Sequence, residues 1–230
     1  LAEAARSQRR FVADTAHQLR TPITGLLGNL ALLMKEPAAA PLHPRLQALH
    51  TGMENLARSA NQLLALARAD PSTGFTEQFE AVDLKALAGR IVEINLDRAL
   101  AAGLDLGVEA GPVAVHGNAR LLEDLLGNLV DNAIHYTPPR GHVTVRAAVR
   151  DGRPCLEVED DGPGIAEDQR SRVRERFYRI PGTAGHGCGL GLAIVSEIAE
   201  AHGAQFILET GAQGAGTRAR VLFSVTRLSV

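Results

Sequence analysis

The feature that most constrains this chain is a pair of apolar seams in its first 70 residues. Leu19, Ile23, Leu26, Leu30 and Leu33 recur at steps of four and three, and Leu46, Leu49, Met53, Leu56, Ala60 and Leu63 keep a similar rhythm. Such spacing predicts two helices, each with one apolar stripe. The segment Glu36 to Pro44, EPAAAPLHP, carries three prolines. It must turn the chain, because proline has no N–H to continue a helix. Two helices joined by a short turn form an antiparallel hairpin, which alone buries too little apolar surface to be stable. A second copy completing a four-helix dimer is the economical expectation. Beside the first seam His17, Thr21, Thr24 and Gly28 form a narrower stripe, with Pro22 breaking the ladder directly after Thr21. A histidine on a helix surface is ordinary, so this stretch assigns it no role by itself.

Asp70 to Thr76, DPSTGFT, is a polar break with proline and glycine, and it divides the chain. A hairpin over residues 1–70, a linker over 71–78 and a second domain over 79–230 are expected. Beyond the break the pattern becomes one of alternating elements. Leu84 to Leu100 and Asn118 to Tyr136 read as helices, as does Leu190 to Ala201. Asp105 to Val108 and Val113 to Val115 read as short strands. His142 to Arg150 and Cys155 to Glu159 read as paired strands around Asp151-Gly152, and Gln205 to Glu209 and Thr217 to Val225 as the closing strands. The expected second domain is a mixed α+β layer, with helices on one face of a sheet.

Composition narrows the function classes. A net charge of -2 gives no reason to expect nucleic acid as a partner. The only cysteines, Cys155 and Cys188, make no disulfide framework, which suits a reducing compartment. No apolar run approaches the roughly 20 residues that span a bilayer. The chain opens mid-pattern at LAEAARSQRRFV, so a longer parent protein is expected.

Three local patterns in the second domain could carry chemistry. Asn128 and Asn132 lie four apart on one helix face, followed by His135 and Tyr136. Side-by-side amide oxygens are neutral, hard ligands for a Mg²⁺ that already carries phosphates, although a surface pair is equally compatible with the spacing. Glu157 to Ile165, EVEDDGPGI, ends a strand on acids and turns at Gly162 and Gly164. Asp160 there could accept from an exocyclic amine such as adenine N6, or simply be solvated. Gly182 to Val195, GTAGHGCGLGLAIV, runs glycines into an apolar helix, a junction whose N–H groups favour phosphate. It lacks the lysine of a P-loop.

The order of these patterns, rather than any one of them, resembles the catalytic core of a bacterial sensor histidine kinase. HQLRTP at His17 to Pro22 looks like the phosphoacceptor motif, and Asn128 to Tyr136 like the N box. Asp160 to Gly164 looks like a first glycine box, Arg176 to Arg179 like the RFYR segment, and Gly187 to Gly191 like a second glycine box. Gly214-Ala215-Gly216-Thr217 looks like the closing glycine-threonine motif. The resemblance implies a dimerising phosphotransfer hairpin followed by a GHKL-type ATP-binding α/β sandwich. It implies ATP and Mg²⁺ as cofactors, a homodimer, and the receiver domain of a response regulator as partner. A cytoplasmic location, in a parent protein anchored in the inner membrane, is implied as well.

By the same resemblance Asp160 contacts the adenine amino group and Tyr136 packs near the base, with Gly162 and Gly164 at the turn. Asn128 and Asn132 hold Mg²⁺ against the triphosphate. Gly187, Gly189, Leu190, Gly191 and Thr217 line the nucleotide. Residues from about Ala166 to His186 form a lid carrying Arg176, with Phe177 anchoring it to the hairpin or the core. His17 is the phosphoacceptor, Gln18 its neighbour in catalysis, and Thr21 the residue that places a water for regulator dephosphorylation. Three positions depart from the family pattern. Gln18 replaces an acid that would take the imidazole proton, implying slower self-phosphorylation. His135 stands where a lysine or arginine often reaches phosphate, and Arg174 replaces an apolar residue before the RFYR segment. Asn128 also stands where GHKL ATPases of the chaperone, mismatch-repair and gyrase kind carry a glutamate. That leaves such an ATPase, or a catalytically weak nucleotide-binding dimeric scaffold, as the alternatives.

Overall fold

The computed structural model describes residues 22, 25–36, 41–50, 52–53, 56–57, 79–182, 189–212 and 214–224. His17, Gln18, Thr21 and Gly187 lie outside the described residues. Of the hairpin, residues 25–33 and 43–50 are helical, and the His43 Nε2 donates to the Met34 carbonyl at 2.9 Å, closing the turn between them. Leu46 is buried, whereas the seam residues Leu26, Leu33, Leu49 and Leu56 are exposed in the single chain.

The second domain runs β1 (Glu80–Asp83), α1 (Leu84–Ala101), β2 (Asp105–Ala110), β3 (Ala114–Gly117), α2 (Ala119–Tyr136), β4 (His142–Arg150) and β5 (Arg153–Asp160). Two short 3-10 turns, Glu167–Gln169 and Arg172–Arg174, precede α3 (Gly191–Ala201), β6 (Gln205–Thr210) and β7 (Thr217–Leu222). The main sheet has the order β2-β4-β5-β7-β6, with β2 parallel to β4 and every other pair antiparallel. A parallel pair needs a long crossover, and α2 lies within it. β1 and β3 form a separate antiparallel pair.

Helix starts are chemically marked. The Asp83 side chain accepts from the amides of Lys85 and Ala86, and the Asn118 side chain accepts from the Leu121 amide. Each satisfies N–H groups that the first turn leaves without a partner. The β4–β5 hairpin closes on Asp151 at φ 51 and Gly152 at φ 73, the left-handed pair a two-residue turn needs to follow strand twist.

Period-two alternation divides the sheet. Val143, Val145, Leu156, Val158, Ala219, Val221, Phe206 and Leu208 face the helices and join Leu122, Leu125, Leu126, Ile194 and Ile198 in one core. Burying each of the Val, Leu, Ile and Phe side chains contributes about 1.5–3 kcal/mol. The opposite face carries a ladder of charges. Arg146 on β4 binds Glu109 of β2 at 2.6 Å and Glu157 of β5 at 3.0 Å, and it also pairs with Glu159. Arg218 on β7 reaches Glu159 at 2.9 Å, and Arg220 pairs with Glu209 of β6. Opposite charges on neighbouring strands let a sheet face stay wet without repulsion. Cys155 lies in β5, where burial pushes its thiol up to about 11 and leaves it a poor nucleophile.

His202 ties the end of α3 to the start of α2. Its Nδ1 donates to the Ile198 carbonyl at 2.7 Å, and its Nε2 accepts from the Asn118 amide at 3.1 Å. The ring also stacks on Phe79 at 4.8 Å. Burial holds it below the usual imidazole range, although the Ile198 bond works the other way. A proton on Nε2 would oppose the Asn118 N–H. The unfolded chain therefore takes up that proton first, near pH 6.5. Domain stability should fall as pH drops below about 6.5 toward the depressed folded value. Thermal melts from pH 8 to 5 should show this slope flattened in His202→Gln; parallel profiles for the two proteins would contradict it.

Candidate functional site

Three residues of α2 set the scale of the site. Asn128, Asn132 and Tyr136 are spaced by four, so they share one face of the helix. At 1.5 Å rise per residue they span about 12 Å. The structure brings a different glycine segment to each end of this row.

At the Asn128 end stands the start of α3. Gly191 is its first residue, and a Cβ there would lie 3.2 Å from the Asn132 amide atoms and 3.4 Å from the Asn128 Oδ1. A larger residue there would need the Asn132 amide to give by a few tenths of an ångström. The Asn128 Nδ2 donates to the Asp124 carbonyl at 2.7 Å, which fixes the amide and leaves Oδ1 toward Gly191. Among the described residues no side chain caps the first turn of α3. Its N–H groups and the helix dipole therefore suit an anion, and the adjacent amide oxygens suit a hard cation held by that anion. Leu190, expected among the cofactor contacts, turns its side chain into the core at 2% exposure, so only its backbone is left for the site. An apolar side chain beside a helix start gains more from burial than from solvent.

At the Tyr136 end, β5 delivers Asp160 as the last member of its helix-facing row. Its Oδ1 accepts from the Gly162 amide at 2.9 Å and from the Thr217 amide at 3.2 Å. Gly162 is packed against the Tyr136 backbone carbonyl, where a Cβ would approach to 3.0 Å. Gly164 packs in the same way on the Gly216 carbonyl, at 2.9 Å. Gly216 itself has φ +75, and a Cβ there would overlap the Asp160 carbonyl. The first glycine box, the end of α2 and the closing glycine-threonine turn thus meet around one carboxylate. Burial pushes Asp160 above the ordinary carboxylate range, against the two amide donors. The remaining oxygen can accept from a ligand amine. His135 and Tyr136 are edge-to-face neighbours at 4.7 Å, and both are exposed.

The segment between these boxes differs from the expectation. Phe177, expected to anchor the lid to the hairpin or the core, is 67% exposed and does not enter the core. Its backbone, at φ 66, donates from N–H to the Gly189 carbonyl at 2.8 Å, so the contact with the second glycine box is through the main chain. The side chains that hold the segment are Val173, Tyr178 and Ile180, which pack on the core, and Arg174, whose guanidinium lies 4.9 Å from the Phe206 ring centre. Arg174 therefore takes the place of the missing apolar residue by stacking. The Arg176 Nε donates to Glu197 of α3 at 2.9 Å, so in this structure its charge is engaged away from the glycine turn.

Residues 117–227 match the family model described as histidine kinase-, DNA gyrase B- and HSP90-like ATPase. Residues 7–72 match the His kinase A phospho-acceptor domain. The sensor protein kinase PmrB of Pseudomonas aeruginosa is 35% identical over 231 residues, covering 99% of this chain and 48% of that protein. The signal transduction histidine-protein kinase/phosphatase MprB of Mycobacterium tuberculosis is 35% identical over 244 residues, covering 100% and 47%. A solved structure of the mycobacterial sensor histidine kinase MprB matches with a TM-score of 0.56 at 33% identity, covering 63% of this chain and 96% of that chain. The chain belongs to the two-component sensor histidine kinases. It spans about half the length of the curated relatives named here. The expected order of a helical phosphoacceptor region and an α/β ATP-binding domain is the family's own.

Removing the Asp160 charge separates binding from folding. In Asp160→Asn the amide oxygen can still accept from Gly162 and Thr217, and the change avoids burying an ionised group. Asp160→Asn should keep or raise the melting temperature at pH 7 while weakening ATP binding about 10- to 150-fold, the range for a hydrogen bond to a charged group. In the unaltered protein, ATP affinity should fall on acidification at a pH above the usual ~3.9 of aspartate. Calorimetric titration checks both; unchanged ATP affinity in Asp160→Asn would contradict the assignment.

Proposed function

We propose that this chain is the catalytic core of an ATP-dependent protein-histidine kinase, which phosphorylates its own His17 and passes the phosphoryl group to an aspartate of a response-regulator receiver domain. The observation that carries the reading is the row Asn128, Asn132 and Tyr136, met by Gly191 at one end and by Gly162 and Asp160 at the other. The division at 71–78 between a phosphotransfer hairpin and a nucleotide domain belongs to the same proposal. Exposed Leu26, Leu33, Leu49 and Leu56 support a homodimer through the hairpin, since these described seam residues lie open in the single chain. A cytoplasmic position within a membrane-anchored parent is part of the reading. Among the described residues no helix is long and apolar enough to cross a membrane.

In this mechanism Asp160 accepts from the adenine amino group and so fixes the base. The backbone of Gly189 and Gly191 would hold the phosphate end, and the Asn128 and Asn132 amide oxygens would hold Mg²⁺ against it. Bound Mg²⁺ would offset the charge that builds on the phosphates. The His17 Nε2 lone pair forms the new N–P bond as the bond to the β-phosphate oxygen breaks and ADP leaves. The imidazole then sheds its Nδ1 proton to solvent water. Gln18 can accept a hydrogen bond from that N–H and fix the tautomer, but it cannot take the proton. Thr21, one turn after His17, would place a water for dephosphorylating the regulator.

The test is incubation with γ-labelled ATP and Mg²⁺. The kinase reading predicts an acid-labile, base-stable label on the protein that disappears in His17→Ala. ATP hydrolysis without label would point instead to an ATPase, and nucleotide binding with neither would point to a scaffold.

A further inference from the structure

The carboxylate next to Asp160 points to the opposite side of the sheet, yet it reaches the same site. Glu159 lies mostly buried among the charges of the helix-free face, paired with Arg146 and with Arg218 at 2.9 Å. Its Oε1 also accepts from the Ala212 amide at 2.6 Å. Ala212 belongs to the turn joining β6 to β7, and that turn folds back on the nucleotide side. Gly211 donates from its N–H to the Gly216 carbonyl at 3.3 Å, Gly216 is pressed on the Asp160 backbone, and Thr217 donates to the Asp160 carboxylate. The same Gly216 carbonyl backs Gly164.

From this chain of contacts we infer that Glu159 is a positioning residue for adenine recognition, fixing the β6–β7 turn so that Thr217 aims its N–H at Asp160. The inference rests on the proposed nucleotide reading. Strand alternation makes the arrangement possible: successive side chains of β5 face opposite ways, so one residue touches the ligand while its neighbour, on the other face, holds the turn that orients it. Burial disfavours the Glu159 carboxylate, but the Ala212 amide and the two guanidiniums outweigh burial and hold it below the usual range. It therefore stays an acceptor throughout the physiological range. Arg146 and Arg218 fix its orientation, and Arg146 is in turn held by Glu109 and Glu157. On this account the charge ladder keeps the back wall of the base pocket in place.

The experiment compares Glu159→Ala, Glu159→Gln and Ala212→Pro with the unaltered chain. Its readouts are the affinity for the non-hydrolysable analogue AMPPNP with Mg²⁺, the KM and kcat of self-phosphorylation, and the melting temperature. Glu159→Ala should raise KM and weaken AMPPNP binding about tenfold with kcat unchanged, the size expected when a hydrogen bond to a charged acceptor is lost. Glu159→Gln keeps an oxygen for the Ala212 N–H and should stay within about twofold of the unaltered chain. Ala212→Pro removes the donor and leaves every charge in place, so it should repeat the Glu159→Ala defect even if Glu159→Ala folds poorly. Glu209→Gln, which alters the ladder beside the same turn at the Arg220 pair and leaves the Glu159–Ala212 contact in place, should leave KM unchanged. An unchanged KM in Glu159→Ala would overturn the inference. So would Glu159→Gln as weak as Glu159→Ala, or an equal loss in Glu209→Gln, since either would assign the effect to the charge ladder as a whole. Failure of the underlying reading is distinct: it would show as normal AMPPNP binding in Asp160→Asn.

Discussion

The carboxylate of Asp160, held between the amides of Gly162 and Thr217, is the contact on which the site depends. A buried anion is costly unless donors surround it, and backbone N–H groups supply them without adding a countercharge that a ligand would have to displace. Meeting that requirement brings three separated segments together. The strand β5 must end at Asp160, the glycine turn must double back at once, and the β6–β7 turn must close over its backbone tightly enough that Gly216 has no room for a side chain. The fold around this point serves to hold those three in register.

Helix α2 extends the arrangement along one face. Its apolar residues Leu122, Leu125, Leu126 and Leu129 are sunk in the core, which fixes the rotation of the helix. Once the rotation is fixed, Asn128, Asn132 and Tyr136 must line one side. The helix is therefore both a packing element and a rule along which a base and a phosphate end can be separated. The start of α3, which no described side chain caps, lies at the far end, and its apolar stripe packs on the same core. Position thus comes from burial, and chemistry from the few polar atoms that burial leaves pointing outward.

Much of this was legible in the sequence because it depends on local chemistry. The apolar run from Asn118 to Tyr136 is a helix, Asp151-Gly152 is a hairpin turn, and the two amides four apart fall on one face whatever surrounds the helix. Strand β1 was not legible: Glu80–Asp83 is only four residues long and runs into an apolar helix, so its pattern merges with the next element. The side-chain directions of Phe177 and Leu190 were not legible for a related reason. Motif position says that a residue lies near a ligand but not which way its side chain points, and here one points to solvent while the other enters the core. The charge ladder had a signal in the alternating acids and arginines of β4, β5 and β7, but their partners are set by strand order, which spacing along the chain does not contain.

The departures from the family pattern now have physical places. Arg174 stacks on Phe206 where an apolar residue would have packed, so the segment before the second glycine box keeps its hold on the sheet. Arg176 is engaged by Glu197, and a role at the phosphates would require it to leave that pair. The central claim is that one face of α2 orients the nucleotide from Asp160 to Asn128. A crystal structure of the chain with AMPPNP and Mg²⁺ tests it most directly. The account predicts the adenine amino group within hydrogen-bond distance of the Asp160 carboxylate and the metal against the Asn128 and Asn132 oxygens. A base bound elsewhere, or phosphates running away from Gly191, would contradict it.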